Sequence, residues 1–406
     1  MTCDIEDDND PYKININLED DSDSNKKAYF EKGLRTLLAD PFFLLLYVPE
    51  DGDRMQIIRP ANDSYHRKRM IKKINEAKRV PSFYYALSHL WGLTKDNLYE
   101  WNQISDYVDD EEGQPVKPVS MRPEKRDALL ALLKDHPDSY WWIDVLCARF
   151  DTPLDIMGDI YAYCLECIAM IDCEPNLISE IHTAVDELAA LEKLAYREEI
   201  EWSTYKELCQ PKCSLLVEHL HTFFQSEWWQ RVWTWQEMAL PVGDVRYIAE
   251  TDIHRFQTNS LTLDIMTASK ISSMTYYHVD FDKQNDAFYE VRLCLSDIKA
   301  AKTSNSYRIS GIDFRGRFER AVWSLSGSKR RCYDPVDYVY GVLGMLRIKI
   351  PRMEDPNDVW RHFLSQLDDL VPRDGRWIDL ADEIDLRKVK NIGEVYHEWY
   401  KVLNKR

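Results

Sequence analysis

The sequence predicts an α/β fold in which helices flank a mostly parallel sheet, followed by a largely α-helical C-terminal region. Short apolar runs alternate with stretches of helical periodicity up to about residue 250, which is the pattern of βαβ units. The runs contain few polar residues, as expected for strands that are buried on both faces. Beyond residue 250 the helical spacing continues, but comparable apolar runs are absent.

The predicted strands are the apolar runs at residues 42–48, 83–87, 140–146, 167–171 and 245–249. A further short run at 55–58 is expected to pair with the first of them. Helical periodicity predicts helices at residues 27–38, 123–136 and 152–163, and in the charged amphipathic stretch 176–225. The order of these elements places helices between successive strands, so the central strands should be parallel.

The length of 406 residues exceeds one typical core and allows two or three domains. Residues 1–26 carry nine acidic residues against two lysines and are expected to form a disordered acidic tail. We expect an α/β domain at 27–250, with a helical insertion at about 176–225, and a helical region at 251–406.

Composition and charge exclude several classes of function. The net charge of −18 argues against a nucleic-acid partner, because nucleic-acid binders usually present a basic face. No apolar run approaches the roughly 20 residues of a membrane span. The N-terminus has neither a basic start nor an apolar stretch, and the nine cysteines are scattered, so a reduced cytoplasmic protein is expected.

The sequence does not predict a metal site. Cys164, Cys167 and Cys173 lack a second ligand pair at suitable spacing, and a structural zinc ion needs four ligands. Cys147 and His89 would form a nucleophilic pair only if the fold brought them together. The chain also has no glycine-rich phosphate-binding loop.

The most unusual stretch is Glu227-Trp-Trp-Gln-Arg-Val-Trp-Thr-Trp-Gln-Glu237, here called the tryptophan segment. We predict a single helix with Trp229, Trp233 and Gln236 on one face. Its large apolar area must be buried, and the polar side chains of Arg231 and Glu237 would be buried with it. Because buried charges need partners, the segment should be a structural brace or the wall of a site.

Three stretches in a fixed order resemble the fungal HET (heterokaryon incompatibility) domain. They are Tyr85-Ala-Leu-Ser-His-Leu-Trp-Gly92, then Trp142-Ile-Asp-Val-Leu-Cys147 with Met157-Gly-Asp-Ile-Tyr161, then Arg231-Val-Trp-Thr-Trp-Gln-Glu237. We call them the first, second and third boxes. A later stretch, Asp334-Pro-Val-Asp-Tyr-Val-Tyr-Gly-Val-Leu-Gly344, resembles the family's downstream box.

The resemblance implies an intracellular fungal protein of non-self recognition that triggers growth arrest or regulated cell death. Its partners would be other proteins of the incompatibility pathway or further copies of itself. The family is thought to be distantly related to TIR domains, which implies a flavodoxin-like sheet. Some TIR domains hydrolyse NAD, so the resemblance also allows a nucleotide ligand, with NAD as a substrate.

Two carboxylates are the candidate catalytic groups. Glu237 would stabilise the cationic sugar formed when a glycosidic bond breaks, as carboxylates of glycosidases do. The structural alternative is a buried ion pair between Glu237 and Arg231. Asp144, at the end of a predicted strand, would point into a ligand crevice. Its structural alternative is to cap the following helix or to pair with an arginine.

Six further residues are candidate ligand contacts. Ser88 would meet a phosphate or hydroxyl group, the ring of Trp91 would stack on a base, and Gly92 would allow close backbone approach. The alternative for these three is a tight turn with a packed indole. The remaining candidates belong to the tryptophan segment: Arg231, Trp233 and Gln236.

The chain departs from the family pattern at two points. The stretch from Cys147 to Met157 is shorter than in the family and contains neither Gln nor Glu, so only Asp151 or Asp155 could replace an acidic residue there. His89 stands where the family has an aromatic residue. Both departures favour a second hypothesis, a non-catalytic protein-interaction module with a degenerate pocket.

Overall fold

The computed structural model describes residues 10–16, 18, 24–92, 99–253, 260–263, 265, 286–310, 314–370 and 383–397. The strands are β1 Leu45–Val48, β2 Met55–Ile58, β3 Tyr84–His89, β4 Glu100–Trp101, β5 Val108–Asp109, β6 Val119–Ser120, β7 Ser139–Ile143, β8 Glu166–Ile171, β9 Asp244–Ala249 and β10 Ser260–Thr262.

The first helices are α1 Ser24–Ala39, α2 Ser64–Glu76, α3 Arg126–Lys134, α4 Asp144–Cys147, α5 Ile156–Ala162, α6 Pro175–Tyr196, α7 Trp202–Phe224, α8 Glu227–Gln230 and α9 Trp233–Ala239. The later ones are α10 Asp286–Ile309, α11 Phe314–Ser326, α12 Asp337–Tyr340, α13 Leu343–Leu346 and α14 Pro356–Leu370. The predicted helical character of the C-terminal region is therefore confirmed.

One sheet of eight strands has the order β10-β9-β8-β3-β7-β1-β2-β5. Its four central strands, β9, β8, β3 and β7, run parallel. β1 pairs antiparallel with β7 and β2, β10 pairs antiparallel with β9, and β5 pairs parallel with β2. From β3 the chain crosses to β7 on one side and then returns to β8 on the other side. Such a reversal opens a crevice at the carboxyl ends of the strands, where ligands bind in open α/β sheets. The predicted α/β class is confirmed.

The predicted strand at 140–146 is too long. β7 ends at Ile143, and Asp144 begins the short helix α4. The Asp144 carboxylate accepts a hydrogen bond from the backbone N–H of Val145 at 2.6 Å, so this side chain satisfies a donor of the first helical turn. The aspartate therefore stops the strand, and alternation along β7 does not decide where its side chain points.

The tryptophan segment is not one helix. Arg231 takes an extended conformation between α8 and α9. Its neighbours bind a second stretch of backbone: Val232 N–H donates to the carbonyl of Arg331 at 3.1 Å. The prediction that Trp229, Trp233 and Gln236 share one helical face is therefore wrong, because a tertiary backbone pairing interrupts the helical hydrogen bonds.

Part of the expected acidic tail packs on the fold. Ile14 and Leu18 are buried, and Asp10 forms an ion pair with Arg35 of α1. The acidic composition of residues 1–26 gave no indication of these apolar contacts. Residues 1–9 of that tail, and residues 398–406 at the other end of the predicted helical region, lie outside the described residues.

Two glycines join the downstream box to the second box. A Cβ atom on Gly158 of α5 would lie 2.3 Å from Cα of Gly344 in α13, so the two backbones are in direct contact. Gly341 lies equally close to the third box, since its Cβ would lie 2.6 Å from a methyl carbon of Val232. The downstream box thus packs against two of the three boxes, and a single hydrophobic core includes residues on both sides of residue 250.

Within the described part of the chain, no helix combines the length and the apolar character needed to cross a membrane.

Candidate functional site

The carboxyl ends of the central parallel strands carry polar side chains. β3 ends in Ser88 and His89, and β7 is followed by Asp144. β8 is followed by Asp172 and β9 by Glu250. Parallel strands place these ends at one edge of the sheet. The candidate residues of the first and second boxes therefore meet at this edge.

Asp172 holds the tryptophan segment over this edge. Its two carboxylate oxygens accept hydrogen bonds from the backbone N–H groups of Glu227 at 2.8 Å and Trp228 at 3.0 Å. A carboxylate at the first N–H groups of a helix satisfies donors that have no intrahelical partner. The third box is thereby positioned beside the first.

Glu237 of the third box contacts the first box directly. Ser88 Oγ donates a hydrogen bond to the Glu237 carboxylate, and Trp228 Nε1 donates to Ser88 Oγ at 2.8 Å. Ser88 is 1% exposed and Glu237 is 8% exposed. The indole, hydroxyl and carboxyl groups form one buried chain of hydrogen bonds, which fixes the position of the Glu237 side chain.

Burial raises the pKa of Glu237 from its ordinary 4.5 to about 7. The Ser88 hydroxyl opposes this shift by stabilising the carboxylate, whereas the negative charge of Asp144 adds to it. Arg231 and Arg330 oppose it with their positive charges. A carboxyl group of this kind changes its protonation state near neutral pH, as groups at functional sites often do.

Glu237→Gln should stabilise the fold at pH 8. The folded state holds the Glu237 proton more tightly than the unfolded chain, so wild-type stability falls as pH rises from about 4.5 to about 7. An amide avoids that loss and gains roughly 1–3 kcal/mol over the wild type at pH 8. Urea denaturation at pH 8 and at pH 4.5 measures the difference. A variant that is less stable than the wild type at pH 8 would contradict this account of Glu237.

Asp144 belongs to a second group of contacts at the same edge. Trp91 Nε1 donates a hydrogen bond to one Asp144 oxygen, and His89 Nε2 lies 3.0 Å from the other. Burial alone would raise the pKa of Asp144, but His89, Trp91 and the Val145 backbone together hold it below its ordinary value. Asp144 is therefore an ionised carboxylate at neutral pH, next to a carboxyl group that titrates near 7.

Trp91 is the exposed member of the group. Its side chain is 42% exposed, whereas its N–H is bound to Asp144. Part of the side chain is thus available to solvent while its N–H is bound, which suits contact of the indole with a planar ligand. Gly92 is packed instead: its Cβ would lie 2.6 Å from the carbonyl oxygen of Tyr99. Gly92 therefore allows close contact between protein backbones.

Lys125 is a buried cation that the sequence analysis missed. Its ammonium group donates to the carbonyl of Leu90 and lies 3.0 Å from His89 Nδ1. Burial lowers its pKa to about 8. The same burial, together with the Lys125 charge, lowers the pKa of His89. Lys125 lies in an ordinary-looking charged stretch, so only the fold reveals that it supports the Asp144 group.

Arg122 and Glu250 extend this polar edge, and the sequence analysis also missed them. The Arg122 guanidinium pairs with one Glu250 oxygen. The other Glu250 oxygen and Arg122 Nε are buried without a hydrogen-bond partner among the described residues. Buried polar atoms of this kind are rare in folded proteins and are typical of sites that bind water or a ligand.

The remaining candidates of the third box do not face Glu237. Arg231 forms no ion pair among the residues that the structure describes, although its charge acts on Glu237. Trp233 lies near the carboxylate of Asp337 in the downstream box and opposes the rise of its pKa that burial causes. The Gln236 amide is buried without a partner in the described part of the chain, against Gly344. The predicted ion pair of Glu237 with Arg231 is not present; Ser88 is the direct partner of Glu237.

From the sequence, Arg231 was expected to be a buried arginine partner in the third box. A different arginine, Arg330, is buried behind this box. It donates to the carbonyl of Arg231 at 3.0 Å and to Thr234 Oγ1, and its guanidinium lies 5.5 Å from the ring centroid of Trp229. Burial lowers its pKa to about 10. Arg330 is thus buried between two exposed basic residues, Arg331 and Lys329, the second of which pairs with Glu290.

The structure also shows the surroundings of the other residues that the sequence analysis considered for catalysis. Cys147 lies near the Trp141 carbonyl, and burial raises its pKa to about 12, so it is not an activated nucleophile beside His89. Asp151 is exposed, and Asp155 forms an ion pair with Lys349 at 2.8 Å. The described residues contain no group of metal-binding side chains.

Comparison with known families agrees with this arrangement. Residues 84–237 match the family model described as Heterokaryon incompatibility protein (HET). Residues 84–237 form a HET domain. The HET domain begins at the start of β3 and ends at Glu237, so it contains every site residue that was predicted from the sequence. Its presence points to a function related to heterokaryon incompatibility. No curated protein and no solved structure matched the chain significantly.

Proposed function

We propose that this HET domain acts as an effector of heterokaryon incompatibility, causing growth arrest or regulated cell death by binding and cleaving NAD. The observation that carries the proposal is the Ser88–Glu237 hydrogen bond beside the Trp91–Asp144 bond. These contacts put two carboxyl groups of different pKa and a half-exposed indole at the carboxyl end of β3. This combination suits glycosidic chemistry at a nucleotide.

In the proposed reaction, the bond between nicotinamide and C1′ of the ribose breaks. Nicotinamide leaves with the bonding electron pair as a neutral molecule, and the sugar becomes an oxocarbenium ion. The Glu237 carboxylate stabilises this cation, because charge–charge attraction is strong in a buried site. Water then attacks C1′ and loses a proton, which yields ADP-ribose.

Asp144 and Trp91 have binding roles in the proposal. Asp144 stays ionised and accepts a hydrogen bond from a ribose hydroxyl, whereas Trp91 stacks on a planar part of the substrate. The proposal places Asp144 in the same site as Glu237 because the Asp144 charge raises the pKa of Glu237. When the pKa values of two neighbouring carboxyl groups differ, one group can stay ionised while the other gains and loses a proton near neutral pH.

The proposal is tested by incubating the purified chain with NAD and following nicotinamide release by chromatography between pH 5.5 and 9. We expect the rate to rise with pH through about 7, because Glu237 acts as a carboxylate. Ser88→Ala removes a hydrogen bond that lowers the pKa of Glu237, so its midpoint should move upward and its rate at pH 7 should fall roughly tenfold. Absence of nicotinamide at high protein concentration, also under crowding that promotes assembly, would reject the proposal.

A second candidate is a non-catalytic module that binds other proteins of the incompatibility pathway or assembles with itself. The observation that favours it is that the shortened stretch after Cys147 offers only two carboxylates: Asp155, which is already paired with Lys349, and Asp151, which is exposed at the surface. This candidate predicts that Glu237→Gln leaves cell death intact in cells that express the chain. The hydrolase candidate predicts that the same substitution abolishes it.

A further inference from the structure

A cavity of about 130 Å³ lies on another side of the tryptophan segment. Its lining residues come from α7, α8, α9 and α10 and from the stretch after α11. The cavity therefore lies between the HET domain and the C-terminal helices. Of the residues assigned above to the candidate site around Glu237 and Asp144, only Arg330, behind the third box, lines this cavity. The cavity is therefore separate from the proposed NAD site.

The walls of the cavity combine apolar and aromatic side chains with polar and charged ones. Aromatic rings come from Phe224, Trp229 and Trp235, and aliphatic side chains come from Met238, Val291 and Leu293. An apolar cavity of roughly 150 Å³ in another protein holds one benzene molecule. By volume, this cavity accommodates a ligand with one aromatic or aliphatic ring.

One wall residue has an unsatisfied charge. The Asp297 carboxylate has no hydrogen bond or ion pair with any residue that the structure describes. The other wall carboxylate is already neutralised: Glu290 lies 3.0 Å from His221 Nε2 and 2.9 Å from Lys329 Nζ. A ligand with a positive charge would therefore find its partner at Asp297.

Arg330 does not satisfy Asp297. Its guanidinium donates to Thr234 and to the carbonyl of Arg231, and it lies over the ring of Trp229. Burial raises the pKa of Asp297 to about 7, and the Arg330 charge opposes the shift only in part. A cationic ligand would bind the ionised form of Asp297, so its binding should strengthen as pH rises from 6 to 8.

We propose that this cavity binds a small primary amine that carries a single apolar or aromatic ring, with the ammonium group paired to Asp297 and the ring between Trp229 and Trp235. The aromatic walls favour both parts of such a ligand, because indole rings attract cations and bury apolar surface. Since the cavity lies between the HET domain and the C-terminal helices, the ligand would contact both parts of the chain.

Isothermal titration calorimetry of the full chain tests the proposal with benzylamine and with benzyl alcohol, a neutral molecule of nearly the same shape. We expect benzylamine to bind at least tenfold more tightly than benzyl alcohol at pH 8. Asp297→Asn should remove this preference and leave benzyl alcohol binding unchanged, and lowering the pH to 6 should weaken only benzylamine. The matched control is Asp186→Asn on the exposed face of α6.

Three results would overturn the proposal: no benzylamine binding at millimolar concentration, equal binding of the two molecules, or equal affinity of the wild type and Asp297→Asn. The thermal unfolding of Asp297→Asn is measured alongside. Removal of an unpaired carboxylate should not lower its melting temperature, so loss of benzylamine binding in a folded variant assigns the effect to the charge. Failure of NAD cleavage would leave this test unaffected, because the two sites are separate.

Discussion

The Glu237→Gln variant is expected to release nicotinamide from NAD at least about 100-fold more slowly than the wild type. Glutamine keeps the shape of the side chain and can still accept the Ser88 hydrogen bond, but it carries no charge to stabilise an oxocarbenium ion. The rate is measured at pH 8, where the wild-type carboxyl group is ionised because its pKa is about 7.

Glu207→Gln is the matched control for this measurement, since Glu207 is an exposed glutamate on α7. It should retain the wild-type rate. Because Glu237→Gln is expected to gain stability at pH 8, loss of activity cannot come from unfolding. An active Glu237→Gln variant would remove Glu237 from the chemistry and favour the non-catalytic module.

The second large effect concerns stability. Gly344→Ala is expected to lower the free energy of unfolding by about 3 kcal/mol. Its Cβ would lie 2.5 Å from Cα of Gly158 and 2.7 Å from Oε1 of Gln236. The first of these neighbours is backbone and cannot rotate away, so α5 and α13 must separate. Urea denaturation measures the change.

Gly327→Ala is the matched control, because its Cβ would meet only the Asp297 carboxylate at an ordinary 3.6 Å. It should change stability by less than about 1 kcal/mol. Equal stability of Gly344→Ala and the wild type would contradict the direct contact between the second box and the downstream box. The downstream box would then not be part of the same packed unit.

Much of the fold could be predicted because its central strands are buried on both faces. The continuous apolar runs around β8 and β9 predicted strands whose bounds agree to within a residue at each end, and the run at 83–87 predicted β3 to within two residues. The helical spacing beyond residue 250 likewise predicted the helical character of that region. In these elements the local pattern and the tertiary environment favour the same structure.

The errors occurred where tertiary contacts override local pattern. Arg231 breaks the tryptophan segment because its backbone pairs with a stretch 100 residues later, around Arg331. β7 ends at Ile143 because Asp144 already belongs to α4, where its carboxylate accepts a hydrogen bond from the N–H of Val145. Neither contact can be derived from periodicity, which describes only neighbours along the chain.

The candidate site was predicted in part. The ordered boxes identified Ser88, Asp144 and Glu237, and the structure places them at one sheet edge. They could not identify Lys125, whose neighbours in sequence are also charged. They also could not show that the partner of Glu237 is Ser88 and not Arg231. Those relations depend on distances between side chains that lie far apart in the sequence.

The most direct test of the central claim is NAD binding by the Glu237→Gln variant, measured by isothermal titration calorimetry. This variant should bind NAD without cleaving it, because Asp144 and Trp91 remain in place. Adding Trp91→Ala should weaken binding at least tenfold, as expected when a stacking ring is lost. Binding of NAD by the first variant and its loss in the double variant are the predicted results. No detectable binding of NAD, or equal binding by both variants, would contradict a nucleotide site at the carboxyl end of β3.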